Sequence, residues 1–439
     1  MTADAEDRPA NIRWLPPGLR PPGGLTGRQE LVFLLVGAAA LFGGYDTNVF
    51  GFAVPQVQAS LHIAEDKIGL TVSIFRLAAI AALVLAWSAD LVGRRRLLLF
   101  TIAGQALATF ATGFVQDYTQ FLWAQTITRT FGYAEEMLCY VVIAEEISAQ
   151  ARGWANGTLA AMYYAGGGVA SLVFIGIGLY GWRGMYVIGS VPIFLVAYLR
   201  RYLPETKRFE LREHEVEKVT SRIAKALDLT RRLLHEHPRR IATMLVAIAA
   251  YGFAIWPAAV FGQKYLQSVL HFTPGQTTAL ILPGGLIAVS FNILAGRLSD
   301  TLGRRAVIFF ALLVALASFG TFYSGIHWPY VAYMWVPGFF GFLCADSLFA
   351  GLSAEIFPTA YRATVSGLRY VVSILCGAVS LALEGPLYNL LGGHGPALIV
   401  LMMTMPIAMI AVLRLPEPAG RTLEDIAAEP DQKQKVANV

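Results

Sequence analysis

The chain has 439 residues, 56% hydrophobic and 14% charged, with a mean hydropathy of +0.55. A soluble chain is about a quarter charged, so a soluble globular protein is excluded. Long apolar runs from Leu31 to Leu413, each near the ~20 residues that cross a bilayer as a helix, leave a polytopic, all-helical membrane protein. The net charge of +5 and pI of 9.0 need no nucleic-acid partner, because the placement of the basic residues accounts for them.

Residues 1–30 are rich in Pro, Gly and both charge signs. They lack the apolar core and cleavage site of a signal peptide, so a retained first span is expected from Leu31. Twelve spans follow: 31–57, 68–88, 97–115, 120–145, 154–179, 184–202, 241–268, 277–296, 306–325, 330–354, 363–390 and 396–414. Of the 34 Lys and Arg, four lie well inside spans (Arg76, Arg129, Lys264, Arg369), and only Lys67 and Arg183 fall in the loops after odd-numbered spans. All the others lie on the tails, on the loops after even-numbered spans or, for Arg200, Arg201 and Arg414, at the span ends that lead into them, which places both tails in the cytoplasm by the positive-inside rule. The expected organisation is a tail (1–30), a six-helix bundle (31–202), cytoplasmic linker helices (203–240), a second six-helix bundle (241–414) and a tail (415–439). A plasma membrane, the inner membrane of a bacterium, and a monomer are expected.

Little in the chain speaks for an enzyme. Cys139, Cys344 and Cys376 all fall in spans, where they read as small apolar packing residues without disulfide or metal spacing. The HEH at 235–237 lies in the solvated linker, and no cofactor or metal is expected. The GGG at 166–168 sits mid-span with no strand before it, so close helix packing explains it.

The chain repeats itself. SADLVGRRR at 88–96 is similar to LSDTLGRRA at 298–306, and AEEISAQARG at 144–153 to AEIFPTAYRA at 354–363. Asp90/Asp300, Gly93/Gly303, Arg94/Arg304, Glu145/Glu355 and Arg152/Arg362 share one offset, and LPE recurs at 203–205 and 415–417. Parallel repeats of this kind place a substrate site near the midplane between two halves.

These motifs resemble the major facilitator superfamily, whose signature is the Asp-x-x-Gly-Arg-Arg loop after spans 2 and 8. The resemblance implies gating for Asp90, Gly93, Arg94, Glu145, Arg152, Asp300, Gly303, Arg304, Glu355 and Arg362. An Asp can cap a helix, and arginines can bind carboxylates and terminal carbonyls in one state and release them in another. Leu91 and Thr301 stand where the family has a basic residue, and Ala86 where it has Gly. Within the superfamily, GYDT at 44–47, Arg129, Glu145 with Arg152-Gly153, LPETKR at 203–208 and LPEPAGRTLEDI at 415–426 are similar to sugar porters. Their sugar-binding features are missing: Ala160 and Gly167 replace two glutamines, and the span-7 and span-10 patterns are absent. Arg369 resembles an Arg of aromatic-acid:proton symporters.

Charged side chains inside the spans are costly, about 2.5–3.5 kcal/mol each on insertion scales. They are Asp46, Glu135, Glu136, Asp346 and Glu384 against Arg76, Arg129, Lys264 and Arg369. At ~1.5 Å per residue, Asp46, Arg76 and Arg129 share a level in the outer half, Arg369 can reach the level of Glu136 and Asp346, and Lys264 and Glu384 lie near the outer ends of spans 7 and 11. Static ion pairs are one reading of such charges. The other makes Asp46, Arg129 and Glu136 proton-coupling groups, a role the sugar-porter resemblance implies for the first two. Substrate contacts are then expected from Arg76, Asp346 and Arg369, from Tyr45, Asn48, Tyr133, Tyr140, Tyr163 and Tyr164 in the first half, and from Tyr251, Trp256 and Tyr370 in the second. No histidine falls mid-span, so a proton relay would run on carboxylates. The expected function is secondary active transport of a small polar or charged metabolite, an organic anion by preference, by alternating access with protons. A sugar or polyol carrier, a proton-driven exporter of organic cations, and a sensor on a transporter fold are the alternatives.

Overall fold

A computed structural model describes residues 20–21, 24–148, 150–203 and 219–418. Most of the N-terminal tail, the linker segment 204–218 and the C-terminal residues from 419, including most of the LPETKR and LPEPAGRTLEDI segments, lie outside the described residues.

The apolar helices follow the predicted spans closely. They are α1 (Gly27–Leu61), α2 (Lys67–Trp87), α3 (Arg94–Thr112), α4 (Tyr118–Glu146), α5 (Arg152–Ile175) and α6 (Ile177–Leu199), then α7 (Pro238–Ser268), α8 (Pro274–Leu302), α9 (Arg304–Tyr323), α10 (Trp335–Glu355), α11 (Arg362–Leu391), α12 (His394–Met402) and α13 (Met405–Leu413). The last two form one kinked pass. Local chemistry sets several starts. Thr26 and Gln29 make a reciprocal capping box at α1, Thr273 and Gln276 repeat it at α8, and Asp117 caps α4 through the Gln120 N–H. Ten passes among the described residues are long and apolar enough to cross a bilayer, so the protein is multi-pass. The other two predicted spans coincide with α3 and α4, which carry Arg94 to Arg96 and Gln105, and Arg129, Glu135 and Glu136, respectively.

The chain divides into two units. The first holds residues up to Ile63 and from Leu77 to Val216. In it α1 packs on α5 and α6, and α3 on α4 and α6. Its core joins Val36, Leu98, Leu138, Ile143 and Ala155, while Leu107, Trp123 and Leu172 remain exposed, as lipid-facing positions do. Helices α1 and α5 meet backbone to backbone. A Cβ at Gly44 would collide with the Tyr163 carbonyl, and one at Gly166 with the Leu41 carbonyl; such contact is the use of small residues between membrane helices. A buried ion pair ties α4 to the end of α6: Arg200 is fully buried and grips Glu135, which also accepts a hydrogen bond from Thr101 at 2.5 Å.

The second unit holds Ala64–Arg76 and residues from Glu217 onward. The start of α2 therefore groups with the second repeat, whereas the sequence reading kept the whole span in the first bundle. In this unit α7 packs on α11 and α13, α9 and α8 on α10, and α12 on α7 and α11. The described part of the linker, helix Val219–Glu236, docks by the Tyr361 hydroxyl, which donates to Glu236 at 2.8 Å. Burial and that carboxylate push the Tyr361 hydroxyl up to about 12.

The glycine contacts make a direct test. Gly44→Ala is expected to cost about 1–3 kcal/mol through overpacking, lowering the melting temperature of the detergent-purified protein. Gly43→Ala, one residue away with no heavy atom within 4 Å of its added Cβ, is expected to leave that melting temperature near wild type. Equal melting of the two variants would contradict the packing described.

Candidate functional site

In the first unit, α1, α4 and α5 enclose a small, partly open pocket with room for about one water, lined by Gly43, Thr47, Gly132, Tyr133, Glu136 and Tyr163 among others. Glu136 is half-buried in its wall, with no hydrogen-bond or ion-pair partner among the described residues. Glu135, one residue earlier, turns to Arg200 in a buried ion pair and also borders the pocket.

Asp46 lies beside this pocket, 2% exposed. Its carboxylate accepts hydrogen bonds from Thr109 at 2.9 Å and Gln105 at 3.3 Å, both on α3. Neither partner is charged, and neither figured among the expected site residues, since a Thr and a Gln facing a neighbouring span leave no signal in a single sequence. Arg129 supplies the opposite charge near Asp46, while its Nη1 donates to the Thr47 carbonyl at 2.9 Å.

Several expected pocket residues sit elsewhere. Tyr45 is 2% exposed, and its hydroxyl donates to the Met185 carbonyl at 2.7 Å, so it joins α1 to α6 instead of facing a cavity. Asn48 donates to the Gly44 carbonyl of its own helix at 2.8 Å. Tyr140 packs against the apolar core, and Tyr164 is 45% exposed beside Tyr163. Tyr133 and Tyr163 do line the pocket.

The second unit gathers a different set. The Arg76 guanidinium lies 3.7 Å above the Trp256 ring, a cation–π arrangement. Gly377 makes room for it, since a Cβ there would press on both groups. The Trp256 indole donates to the Ser373 hydroxyl at 3.2 Å. Asp346 faces Arg369 at 3.9 Å and also feels the charge of Arg76. Two guanidinium groups thus share one carboxylate. The depth estimate that put Arg76 on a level with Asp46 missed this grouping. Tyr251 is buried with its hydroxyl on the Phe342 carbonyl, and Tyr370 is 38% exposed.

The loop motifs form matching ends in each unit. Gly93 and Gly303 both adopt positive φ, 100° and 97°, which a residue with a Cβ adopts only under strain. Arg94 reaches Glu145 at 3.1 Å. Arg304 holds Glu355 with two nitrogens at 3.1 and 3.0 Å and Asp300 at 2.7 Å. Arg152 and Arg362 point to the carbonyls five residues back, Ile147 and Phe357, at 3.4 and 3.5 Å. The Asp90 side chain lies outside the described residues. The second LPE adds a contact not foreseen: the Glu417 carboxylate accepts the backbone N–H groups of Arg304 and Arg305 at 2.8 and 3.0 Å and so caps α9.

Residues 36–381 match the family model described as Major Facilitator Superfamily. The chain belongs to this superfamily. Among facilitator-superfamily proteins, it is 24% identical to a "Probable 4-methylmuconolactone transporter" of Cupriavidus pinatubonensis, over 87% of this chain and 89% of that one. It is 25% identical to a "Cis,cis-muconate transport protein" of Acinetobacter baylyi, over 81% of this chain and 87% of that one. Its fold matches the xylose transporter XylE from E. coli in an inward-open conformation, with a TM-score of 0.70 and 17% identity, covering 90% of this chain and 98% of the other. The facilitator fold expected from the loop motifs is thereby established, and the chain is a transporter.

Removing the Glu417 cap is expected to cost about 0.5–2 kcal/mol of local stability. In Glu417→Ala, hydrogen exchange at the Arg304 and Arg305 amides should quicken accordingly, while the equivalent amides of Arg94 and Arg95 keep their wild-type rates.

Proposed function

We propose that this transporter carries a small organic acid by alternating access, coupled to protons, through twelve spans with both ends of the chain in the cytoplasm of a bacterium. The observation that carries the substrate class is the set of Arg76, Arg369, Asp346 and Trp256. Two guanidiniums lie around the Asp346 carboxylate, one of them stacked on Trp256. Such a cationic, aromatic setting suits a substrate carboxylate, and an Arg fork binds a carboxylate through two parallel hydrogen bonds. The flat faces of Arg76 and Trp256 favour a planar, unsaturated acid. The names of the muconate and methylmuconolactone transporters support the same class. A sugar would instead call for neutral donors and acceptors, which this set supplies only through the Trp256 indole, already engaged with Ser373.

For proton coupling the candidates are Asp46 and Glu136. A carboxylate buried with neutral donors is balanced either by a nearby cation or by a proton. Arg129 is close enough to serve as that cation, so its approach and a proton exclude one another at Asp46. The paired arginines of the loop motifs, Arg94 on Glu145 and Arg304 on Glu355, are proposed to hold one state and part in the other.

Proteoliposomes give the test. Labelled cis,cis-muconate is expected to accumulate under an imposed pH gradient, acid outside, and Arg369→Ala should raise the half-saturating concentration about 10-fold or more, the loss of one charge-assisted contact. Asp46→Asn should abolish gradient-driven accumulation while retaining exchange of labelled for unlabelled substrate. Uptake indifferent to the gradient overturns proton coupling, and stronger competition by hexoses than by organic acids overturns the substrate class.

A further inference from the structure

At the other end of the second unit, away from the loop motifs, four ionisable side chains meet. Glu384 on α11 is fully buried, Lys264 on α7 is 2% exposed, and His394 opens α12. Glu65 precedes α2. The His394 ring lies between two carboxylates, with Nδ1 at 2.5 Å from Glu384 Oε1 and Nε2 at 2.9 Å from Glu65 Oε2. Lys264 also binds Glu65 Oε2. The ring is clasped by Tyr388 and Phe261, with centroids at 4.4 and 5.1 Å. Tyr265 and Tyr323 lie against Gly395, and Asp66, next to Glu65, is held by Asn389 at 3.1 Å.

The geometry fixes a proton count. A neutral imidazole offers one N–H and one lone pair. Here both ring nitrogens face carboxylate oxygens, so a lone pair on either one would meet another lone pair. Both contacts are attractive only when the set holds one proton more than a neutral His and two carboxylates, either as imidazolium or as a carboxylic acid. With that proton the four groups are neutral in sum; without it a net negative charge is left in a site where only Glu65 reaches the surface. Glu384 Oε2 is buried without a hydrogen-bond partner among the described residues, which leaves that carboxylate short of compensation and sharpens the need for the proton.

The same groups hold the start of α2 against the second repeat. A Cβ at Gly385 would strike the Asp66 carbonyl, and one at Gly69 the Leu381 carbonyl and Glu384, so the backbones touch at two points flanking the cluster. We propose that Glu65, Lys264, Glu384 and His394 form a second proton-binding site, distinct from Asp46, whose proton fastens segment 64–76 to α7, α11 and α12. The closed arrangement binds one proton more than one from which Glu65 has withdrawn. Acid therefore favours closure, and opening rises with pH, by at most about tenfold per pH unit for one linked proton.

Hydrogen exchange of the peptide covering 64–76, in the full-length protein purified in detergent and corrected for intrinsic rates, reads this directly without substrate. Between about pH 5 and pH 8, where histidine chemistry changes, protection is expected to fall several-fold as pH rises. His394→Phe, whose ring fits between Tyr388 and Phe261, should remove the pH dependence. Glu65→Gln, a surface-reaching change that leaves α12 packed, should flatten it as well and leave 64–76 weakly protected at every pH. Asp46→Asn should keep the wild-type slope, so a failure of coupling at Asp46 and a failure here are told apart. Protection of the wild type that does not vary with pH, or a full slope retained in either His394→Phe or Glu65→Gln, overturns the proposal.

Discussion

A charge in the hydrocarbon layer must be balanced inside the protein, and the placement of helices in both units follows from that demand. Water is not there to share the cost, and removing one partner of a buried pair costs about 3–5 kcal/mol. Glu135 on Arg200 is buried on both sides and joins α4 to the end of α6, while Lys264 on Glu65 and Asp346 on Arg369 join separate elements through a partly exposed carboxylate. Each pair selects which helices are neighbours as firmly as the apolar contacts do, because lipid is as apolar as leucine and gives helices no hydrophobic reason to associate. The exceptions are where the proposed function places its proton sites. Glu136 faces a pocket with no hydrogen-bond or ion-pair partner among the described residues, and Asp46 is held by a Thr and a Gln with Arg129 nearby. At both, a proton is one way to balance the carboxylate.

The duplication shows which parts of the architecture are frame and which are fitted to cargo. Gly93 and Gly303 share a backbone conformation, Arg94 and Arg304 hold equivalent glutamates, and Arg152 and Arg362 reach equivalent carbonyls. These contacts rest on turn geometry and helix ends, so they survive when the rest of a repeat changes. Glu136 and Asp346 occupy the same place in the two repeats, yet one borders an open pocket and the other faces an arginine. The Leu-Pro-Glu segment of the second repeat caps α9. Identity between repeats thus concentrates at the loop ends, and difference concentrates within the layer where cargo must be recognised.

The sequence made the spans, the repeat and the loop motifs legible because each rests on a local signal: apolar length, a constant offset, and a glycine followed by arginines. Partners across helices were hidden. Arg200 sits at the edge of an apolar run and counted as a loop residue, although it is fully buried on Glu135. His394 lies at the start of a span, so a search for mid-span histidines passed over it, and only the fold brings it between Glu65 and Glu384. Tyr45 looked like a pocket aromatic because it adjoins Asp46, but neighbours along a helix point about 100° apart, and its hydroxyl reaches α6. Depth along the bilayer can be counted in residues; direction around each helix depends on packing that one sequence does not print.

The surroundings of Asp46 also decide which part moves in the proposed proton exchange. Helix α1 is locked to α5 at Gly44 and Gly166, where no side chain separates the backbones, and two hydrogen bonds from α3 fix the carboxylate itself. Translating Asp46 away from its position would break backbone packing and leave buried donors unsatisfied, each at about 1–3 kcal/mol. Arg129 is differently held. Its long side chain reaches from α4 to the Thr47 carbonyl at 2.9 Å, and a side chain of that length changes position by rotamer changes that leave its helix in place. In the proposed cycle the carboxylate is therefore the fixed element and the guanidinium the moving one. Thr47 lies at the wall of the Glu136 pocket, so a substrate or water entering there competes for the carbonyl that anchors Arg129. Entry of a water or a substrate group and protonation of Asp46 are then linked through the Thr47 carbonyl, with no shift of α1 against α5 required.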